Sequence, residues 1–422
     1  MYRSFWGWVS AAVLVWAVSA SAAKLLIPMD LAQSDHLKAY GVTYWALERG
    51  VTAEWLLNYR GGSFMTDLNG RLEAEARVRG VTTETISDAQ AAVIYATIER
   101  ENMDKVLLEK APVIAVYTPP NSQPWDDAVT LALTYAEISY TEIWDEEVLA
   151  GELPNYDWVH LHHEDFTGQY GRFYISYQHQ PWYQKQKAEY EARARASGFA
   201  KVSQAKAAVA RTIKAYVAQG GFLFAMCSAT DTFDISLAAE GLDIVAAVCD
   251  GDGLTPGAGS RLDFSKTTMF QGFHLERNQL AYEFSDIDTS PTRMDQIRGA
   301  EADYFTLFEF SAKFSPVETM LTQCHVNVIK GFLGQTTGFR RSVINPSVVI
   351  LADAPGTDEV KYLHGGHGKG TITFYGGHDP EDYTHRVGDP LTNLALHSGS
   401  PGYRLILNNV LFPAARKKTL KT

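Results

Sequence analysis

The sequence predicts an α/β fold in which helices cover both faces of a mostly parallel central sheet. Short apolar runs with strand character alternate with segments of helical periodicity along most of the chain. After residue 22 the chain opens with a strand–helix–strand unit, and such units usually join a parallel pair of strands. Hydrophobic residues are 46% and charged residues 20% of the 422 positions, a composition that supports a sizeable core.

The first 22 residues are predicted to be a secretory signal peptide. Arg3 precedes an apolar run over 5–18, and Ala20-Ser21-Ala22 supplies the small residues of a cleavage site. The alternative is an uncleaved anchor, because the uncharged run is nearly long enough to span a bilayer. Cleavage after Ala22 would leave a periplasmic or secreted protein with no stable membrane span.

The spacing of apolar residues, together with the glycines and prolines that interrupt it, predicts the order of strands and helices. The helix over 36–48 has apolar residues at Leu37, Tyr40, Tyr44 and Leu47, and Gly50 stops it. Strands are predicted at Lys24–Pro28, Val51–Asn58, Val113–Tyr117, Ser139–Trp144, Tyr156–His162, Ser347–Leu351, Gly370–Tyr375 and in the run ending at Cys227. Helices are predicted at His36–Glu48, Asp88–Asn102, Asp126–Ala136, Ser203–Gln219 and Tyr403–Phe412. Together they predict a flavodoxin-like three-layer sandwich.

Residues 23–422 are predicted to form one domain with two insertions over one end of the sheet. The segment 168–202 is first aromatic and then charged, and the segment 250–345 holds many turn residues and short strand-like runs. Each could form a lid or substrate wall, or could simply pack against the sheet. The aromatic side chains of Trp182, Tyr183 and Tyr174 would also fit stacking on sugars.

The stretch from Gly220 to Asp231 predicts a nucleophile elbow built on cysteine. It is a short apolar strand that ends at Cys227 and turns at once into a helix, with small residues Ala225 and Ala229 on either side. A helix start favours a thiolate, although Asp231 and Asp234 in the first turn would raise the thiol pKa. A buried structural cysteine is the alternative.

A thiol nucleophile needs a base, and His378 is the candidate that also follows a predicted strand. Glu381 is the predicted orienter of its imidazole, with Asp379 and Asp382 as rivals. Such a Cys–His mechanism requires no cofactor.

The fold pattern, the strand–cysteine–helix step and the late histidine followed by Pro380-Glu381 resemble the class I glutamine amidotransferase-like superfamily. That resemblance implies an acyl-transfer site in which the Ser228 N–H and the loop at Gly168 stabilise the oxyanion. In this chain alanines replace the usual elbow glycines, and Asp379 separates His378 from Pro380. The glycine-rich run from Gly368 also resembles ThuA-like members of the superfamily, which are associated with sugar metabolism.

The opening of the mature chain, from Ile27-Pro28-Met29-Asp30 to Phe64, resembles exported bacterial proteins labelled asparagine synthetase B. A glutamine-dependent synthetase uses a cysteine exposed at residue 2, where this chain has Tyr2, and no phosphate loop of the expected type is found. The resemblance therefore implies an exported protein rather than ATP-dependent synthesis.

The run from His160 to Asp165 supports a different chemistry. On a strand His160 and His162 share a face and Glu164 follows on it, which gives a plausible zinc set. His364 and His367, expected on a glycine-rich loop, could add ligands. Solvated histidines at a polar strand end are the alternative.

Arg60 and Gly61 follow another predicted strand, which we expect to end at the same sheet edge. The Arg60 guanidinium could clamp a substrate carboxylate, and the glycine N–H groups could bind an anion. A tight turn with a surface arginine explains the same residues.

The net charge limits which partners are expected, and the cysteine count bears on the redox state of the protein. The net charge of −12 disfavours nucleic acid as a partner. Export implies oxidising conditions, and with three cysteines one arrangement pairs Cys249 with Cys324 and leaves Cys227 free. Three buried reduced thiols are the alternative.

The leading hypothesis from the sequence is an exported cysteine-dependent hydrolase or amidase acting on an amide or ester. The alternatives are a non-catalytic module that binds glycan or peptidoglycan, and a metal-dependent hydrolase. The substrate is expected to be a small molecule, a glycan or a peptide.

Overall fold

The computed structural model describes residues 23–120, 126–291, 299–384 and 388–417, and the predicted signal peptide lies outside them. The strands are β1 (Ala23–Ile27), β2 (Ala53–Leu57), β3 (Ser63–Asp67), β4 (Glu84–Ser87), β5 (Asp104–Leu108), β6 (Ile114–Tyr117), β7 (Thr141–Ile143), β8 (Trp158–Leu161), β9 (Phe222–Met226), β10 (Tyr304–Leu307), β11 (Val328–Lys330), β12 (Phe339–Arg340), β13 (Val349–Asp353), β14 (Glu359–His367) and β15 (Gly370–Tyr375).

Helices alternate with these strands through the first half of the chain. They are α1 (His36–Glu48), α2 (Gly70–Val78), α3 (Asp88–Arg100), α4 (Ala128–Ala136), α5 (Asp145–Leu149), α6 (Tyr174–Tyr177), α7 (Pro181–Ala196), α8 (Val202–Gln219), α9 (Ser228–Ala238), α10 (Ala247–Asp250), α11 (Pro316–Leu321) and α12 (Pro401–Leu411). Every strand and helix named in the sequence analysis is present, within a few residues at each end.

The larger of two sheets is mixed rather than mostly parallel. Its order is β11-β10-β13-β14-β15-β9-β8-β6-β7, with β12 paired to β14. The neighbours β15, β9, β8, β6 and β7 are parallel to one another, whereas β14, β13, β10 and β11 pair antiparallel. The protein is therefore α/β, and the strands β10, β11 and β12 from the segment 250–345 extend this sheet.

The second sheet is antiparallel and corrects the prediction for the start of the chain. Its order is β4-β1-β3-β2-β5. The expected parallel pair of β1 and β2 does not form, because β3 lies between them and pairs antiparallel with both. The reason is the turn after β2, where Asn58, Arg60, Gly61 and Gly62 take left-handed backbone conformations that send the chain straight back.

Two cores cover the faces of the large sheet. One core joins the two sheets and contains α1, α4 and α12 between them, with Trp55 from the small sheet and Phe224 from the large one. The other core lies on the opposite face and includes side chains of α8 and α9. The parallel strands are covered on both sides, as their apolar sequences require.

The cysteines form no disulfide in this structure. Cys227 and Cys249 are buried free thiols and Cys324 is a half-buried one. The proposed Cys249–Cys324 pair is therefore wrong for this structure, and the alternative of three reduced thiols agrees with it.

Close helix contact gives a first prediction, on stability. In α1 the Cα of Gly41 lies against the Ala136 carbonyl of α4, so a Cβ at this position would overlap that oxygen. We expect Gly41→Ala to lower the free energy of unfolding by about 2 kcal/mol or more through overpacking, as measured by urea titration. Gly70→Ala is the matched control, since Gly70 begins α2 with nothing within 4 Å of its Cβ position. A loss at Gly70 as large as that at Gly41 would contradict the overpacking argument.

Candidate metal centre beside a cysteine elbow

The elbow predicted at Cys227 has the backbone strain expected of one. Cys227 has φ 53° and ψ −145°, caps α9 and leaves β9 at the carboxyl edge of the parallel strands. Its N–H donates to the Gly377 carbonyl at 3.1 Å, and Gly377 follows the neighbouring parallel strand β15. Cys227 and His378 therefore come from adjacent strands at the same sheet edge, as the sequence predicts.

The surroundings of Cys227 disfavour a thiolate. The residue is 5% exposed. Burial raises the pKa of the thiol to about 12, and the nearby carboxyl groups of Asp231 and Asp288 add to the rise, although the Ser228 N–H opposes it. At neutral pH the sulfur is held as a thiol.

Three imidazoles meet beside the elbow. The ring centroids of His162 and His163 are 3.8 Å apart, and the His378 ring lies 4.4 Å from each of them. The His378 Nε2 is 3.1 Å from the His163 Nδ1. One nitrogen from each ring can be chosen so that all three lie within 4.8 Å of one another. We call these residues the histidine cluster.

Neighbouring acceptors contact one nitrogen on each of two of these rings. The His162 Nδ1 is 3.1 Å from a carboxylate oxygen of Asp127, and the His163 Nε2 is 2.7 Å from the Asp126 carbonyl. His162 is 1% exposed, and its Nε2 is buried with no hydrogen-bond partner among the residues the structure describes. This arrangement is the one by which proteins orient metal-ligating histidines.

One nitrogen separation in the histidine cluster matches the spacing of two ligands on a zinc-type ion. Two imidazole nitrogens on one tetrahedral Zn²⁺ are about 3.3 Å apart, given Zn–N bonds of about 2.0–2.1 Å. The distance of 3.1 Å between the His163 Nδ1 and the His378 Nε2 is close to that value and is also the length of a hydrogen bond between the two rings. Three nitrogen ligands would leave a fourth position for water, which is the arrangement of catalytic zinc sites.

Asp127 supports this centre from the start of α4. It is the N-cap residue of that helix and also contacts His160, whose Nε2 is 3.5 Å away. Burial would raise the pKa of Asp127. The charge interactions and hydrogen bonds with His162 and His160 have the larger, opposite effect and hold that pKa well below its usual value. Asp127, His160 and His162 form a second set of potential ligands that shares His162 with the histidine cluster.

The predicted zinc set is only partly assembled. His160 and His162 do share a face, with 3.4 Å between their nearest nitrogens. Glu164 turns away to Tyr190 and Lys206, with its oxygen 3.5 Å from the buried Lys206 Nζ. Burial raises the pKa of Glu164 to about 7, although Lys206 opposes the rise. His364 lies in β14 rather than in a loop, where its Nδ1 contacts the Thr373 hydroxyl.

The remaining residues of the predicted acyl-transfer site have other contacts. Glu381 lies 3.0 Å from the His397 Nδ1, so its carboxylate engages a different imidazole from the one it was expected to orient. The Ser228 hydroxyl donates to the His163 carbonyl at 2.8 Å. Gly168 packs against Ser203 at the start of α8.

Arg60 and Gly61 belong to the small antiparallel sheet and not to the edge that carries Cys227. The Arg60 guanidinium pairs with Asp30 at 2.6 Å and Glu84 at 2.9 Å, and the Gly61 carbonyl accepts from Arg404. The expectation of a common edge is wrong, because the β2–β3 turn places these residues in the second sheet.

The aromatic segment is largely packed against itself. Tyr183 is buried, and Trp182 contacts the rings of Phe173, Tyr177 and Tyr183. These contacts leave little of Tyr183 for stacking on a sugar.

Sequence reasoning missed His163, Asp126 and Asp127 as members of the centre. Adjacent residues on a strand point to opposite faces, so a strand through both positions would place His163 on the face opposite His162. β8 ends at Leu161, and the turn beyond it brings His162 and His163 to one place. The sequence does hold a signal for this centre. Asp126-Asp127 stands at a predicted helix start after one strand, and His162-His163 stands at the end of a later strand.

Comparisons with known proteins assign no family to the chain. No family model and no curated protein matches the sequence. Among solved structures, the cytoplasmic proteins STM3548 and STM1381 from Salmonella typhimurium align over 72% of this chain and 100% and 99% of theirs, at 12% and 11% identity and TM-scores of 0.34 and 0.35. A GH42 β-galactosidase aligns over 64% of this chain and 28% of its own at 10% identity and a TM-score of 0.27. Scores of this size support no conclusion about family or function.

Among the helices that the structure describes, none is long and apolar enough to cross a membrane.

The environment of Cys227 gives a second prediction. Because burial raises its thiol pKa, we expect iodoacetamide at pH 8 to label Cys227 at least about tenfold more slowly in the folded protein than in urea. Peptide-level mass spectrometry follows Cys227 separately from Cys249 and Cys324. Labelling of Cys227 faster in the folded protein than in urea would show an activated thiolate and contradict this assignment.

Proposed function

We propose that this protein is a metal-dependent hydrolase whose zinc-type ion is held by His162, His163 and His378. The observation that carries the proposal is the histidine cluster itself. Three imidazoles from two strand ends converge, and Asp127 and the Asp126 carbonyl each tie one nitrogen of a ring. A buried His162 Nε2 without a hydrogen-bond partner among the described residues is unfavourable unless something binds it.

The chemistry available to such a centre is activation of water. A zinc ion with three histidine ligands lowers the pKa of its bound water to about 7 and polarises a carbonyl oxygen. A cavity of about 20 Å³ lies against His163 and is also lined by Glu164 and Asp165. Its lining includes both polar and apolar side chains, and it has room for about one water molecule. An amide or ester is the substrate class that this chemistry favours.

A cysteine hydrolase is the second candidate, and the strained backbone of Cys227 supports it. In this alternative Cys227 would attack the carbonyl carbon, His378 would accept the thiol proton and the Ser228 N–H would bind the oxyanion. This alternative would go with membership of the class I glutamine amidotransferase-like superfamily, which the sequence resembles. It would also go with a flavodoxin-like arrangement of the parallel strands. The high pKa of Cys227 and the Glu381–His397 contact count against it.

Metal content tests the leading proposal. We expect the purified protein, after exposure to zinc and desalting, to retain about one equivalent by elemental analysis. His162→Ala, His163→Ala and His378→Ala should each reduce retention at least about tenfold, since each removes one of three ligands.

His274→Ala is the matched control and should retain the metal, because His274 is exposed and pairs with Asp286. His160→Ala distinguishes the two potential ligand sets. Retention after His160→Ala and loss after His378→Ala would assign the ion to the histidine cluster, whereas the opposite pattern would assign it to Asp127, His160 and His162. Less than a tenth of an equivalent in the unaltered protein would refute the metal proposal.

Activity separates the two candidate mechanisms. With an activated ester such as p-nitrophenyl acetate, the metal mechanism predicts that His162→Ala removes the zinc-dependent rate and that Cys227→Ala leaves it within about threefold. The cysteine mechanism predicts complete loss in Cys227→Ala with or without zinc. Circular dichroism of each variant shows whether the fold is retained.

A further inference from the structure

Two buried carboxyl groups lie under the elbow and are bridged by one threonine. Asp231 is 0% exposed and Asp288 is 2% exposed. The Thr336 hydroxyl donates to Asp231 Oδ1 at 3.0 Å, and the Thr336 N–H donates to Asp288 Oδ2 at 2.8 Å. The other Asp288 oxygen accepts from the N–H and hydroxyl of Ser290. We call Asp231, Thr336 and Asp288 the acid bridge.

The acid bridge is built to retain a proton. Asp231 Oδ2 is buried and has no hydrogen-bond partner among the described residues, so an ionised Asp231 would leave charge without compensation. Among the described residues, the titratable groups that interact most with the pair are acids, namely Cys227, Tyr282, Asp165 and Glu283. The charged group packed on the same loop is the buried Lys361 ammonium, which donates to the Phe332 and Thr337 carbonyls and to neither carboxyl group of the pair. Two neighbouring carboxyl groups in such surroundings do not both ionise readily.

Thr336 connects the acid bridge to the histidine cluster. Its carbonyl accepts from the Gly377 N–H at 2.8 Å, and Gly377 directly precedes His378. The same loop supplies the Leu333 carbonyl, which accepts from the His378 N–H at 3.1 Å, and Gly334, whose Cβ position would overlap the His378 Cβ. The loop over 333–337 therefore lies directly against the backbone of His378.

Thr336 holds an unfavourable conformation to make these contacts. Its φ is +55°, in the left-handed region that a β-branched residue rarely adopts. Such a conformation persists only where surrounding contacts fix it, and the bonds to Asp231, Asp288 and Gly377 are those contacts. Loss of the contacts would release the loop toward ordinary backbone angles.

We propose that the acid bridge, while it retains a proton, fixes the loop over 333–337 and thereby positions His378 in the histidine cluster. Asp231, Asp288 and Thr336 are positioning residues in this scheme, since they act through the loop and not on the metal. The role of His378 as a ligand rests on the proposed function, whereas the proton held by the acid bridge does not depend on it.

The sign of the pH dependence follows from burial. Burial raises the pKa of Asp288 to about 7 and raises that of Asp231 well above its ordinary value, with Asp288 adding to the latter. An acid whose pKa is raised in the folded state stabilises the fold below its unfolded pKa, near 4, and that stabilisation is lost as the pH rises through the folded pKa. The stabilisation from the retained proton is therefore largest below about pH 4 and declines as the pH rises toward and through about 7.

The first experiment uses metal-free protein and tests the proton alone. Urea unfolding midpoints are measured from pH 5 to pH 8 after treatment with a chelator. We expect the midpoint of the unaltered protein to fall over this range and that of Asp288→Asn to change by less than half as much. Asp231→Asn, which keeps the Oδ1 acceptor for Thr336, provides a second variant if Asp288→Asn does not fold. A flat profile in the unaltered protein, or an unchanged slope in both variants, would overturn the proposal.

The second experiment tests positioning, with zinc as the probe at pH 6.5. Thr336→Val removes the hydroxyl bond to Asp231 and keeps the branched shape, and we expect the apparent zinc dissociation constant to rise at least about tenfold. Thr337→Val is the matched control. Among the described residues the Thr337 hydroxyl bonds the loop's own Gly334 carbonyl and neither carboxyl group of the acid bridge, so its loss should change the constant less than threefold. Equal effects of the two variants would overturn the positioning role. Absence of zinc binding in the unaltered protein would instead refute the proposed function and leave the first experiment as the test of the acid bridge.

Discussion

The parallel pairing of β9 between β8 and β15 is the constraint on which the site depends. It ends three adjacent strands at one edge, so that His162, Cys227 and His378 follow neighbouring strand ends although they are far apart in the sequence. Gly377 fixes the arrangement because its carbonyl accepts from the Cys227 N–H while its N–H donates to Thr336. A shift of β15 by one residue would move every side chain of that strand to the other face of the sheet and displace Gly377 and His378, which follow it.

This edge of the sheet has two electrostatically different regions. One favours positive charge, and the other favours neutral, protonated acids. Around the histidine cluster, Asp127 has a pKa held well below its usual value and favours positive charge, as a cation site requires. Around Cys227, Asp231 and Asp288, burial and neighbouring acids raise the pKa values of these groups, which favours their protonated forms. The two regions are joined by the hydrogen bond from the Gly377 N–H to the Thr336 carbonyl.

The small antiparallel sheet contributes to stability rather than to this site. Its core side chains merge with those of α1, α4 and α12, and the buried Arg404 of α12 bonds the Met29 and Gly61 carbonyls of the small sheet. Arg60 pairs with two carboxylates there, an arrangement that fixes a turn. Arg60 therefore holds a turn within the small sheet, and Gly61 helps to attach that sheet to α12.

The sequence by itself determined the alternating elements, the strand-to-helix turn at Cys227 and the position of His378 after a parallel neighbour, because periodicity and small residues are local signals. Only the tertiary structure decided that β3 separates β1 from β2, that Glu381 faces His397, and that Asp127 and His163 join His162 and His378. These outcomes depend on which strand lies beside which and on where each chain turns after its strand ends. A one-dimensional pattern does not contain that information, since the contacts that select it are made between segments tens to hundreds of residues apart.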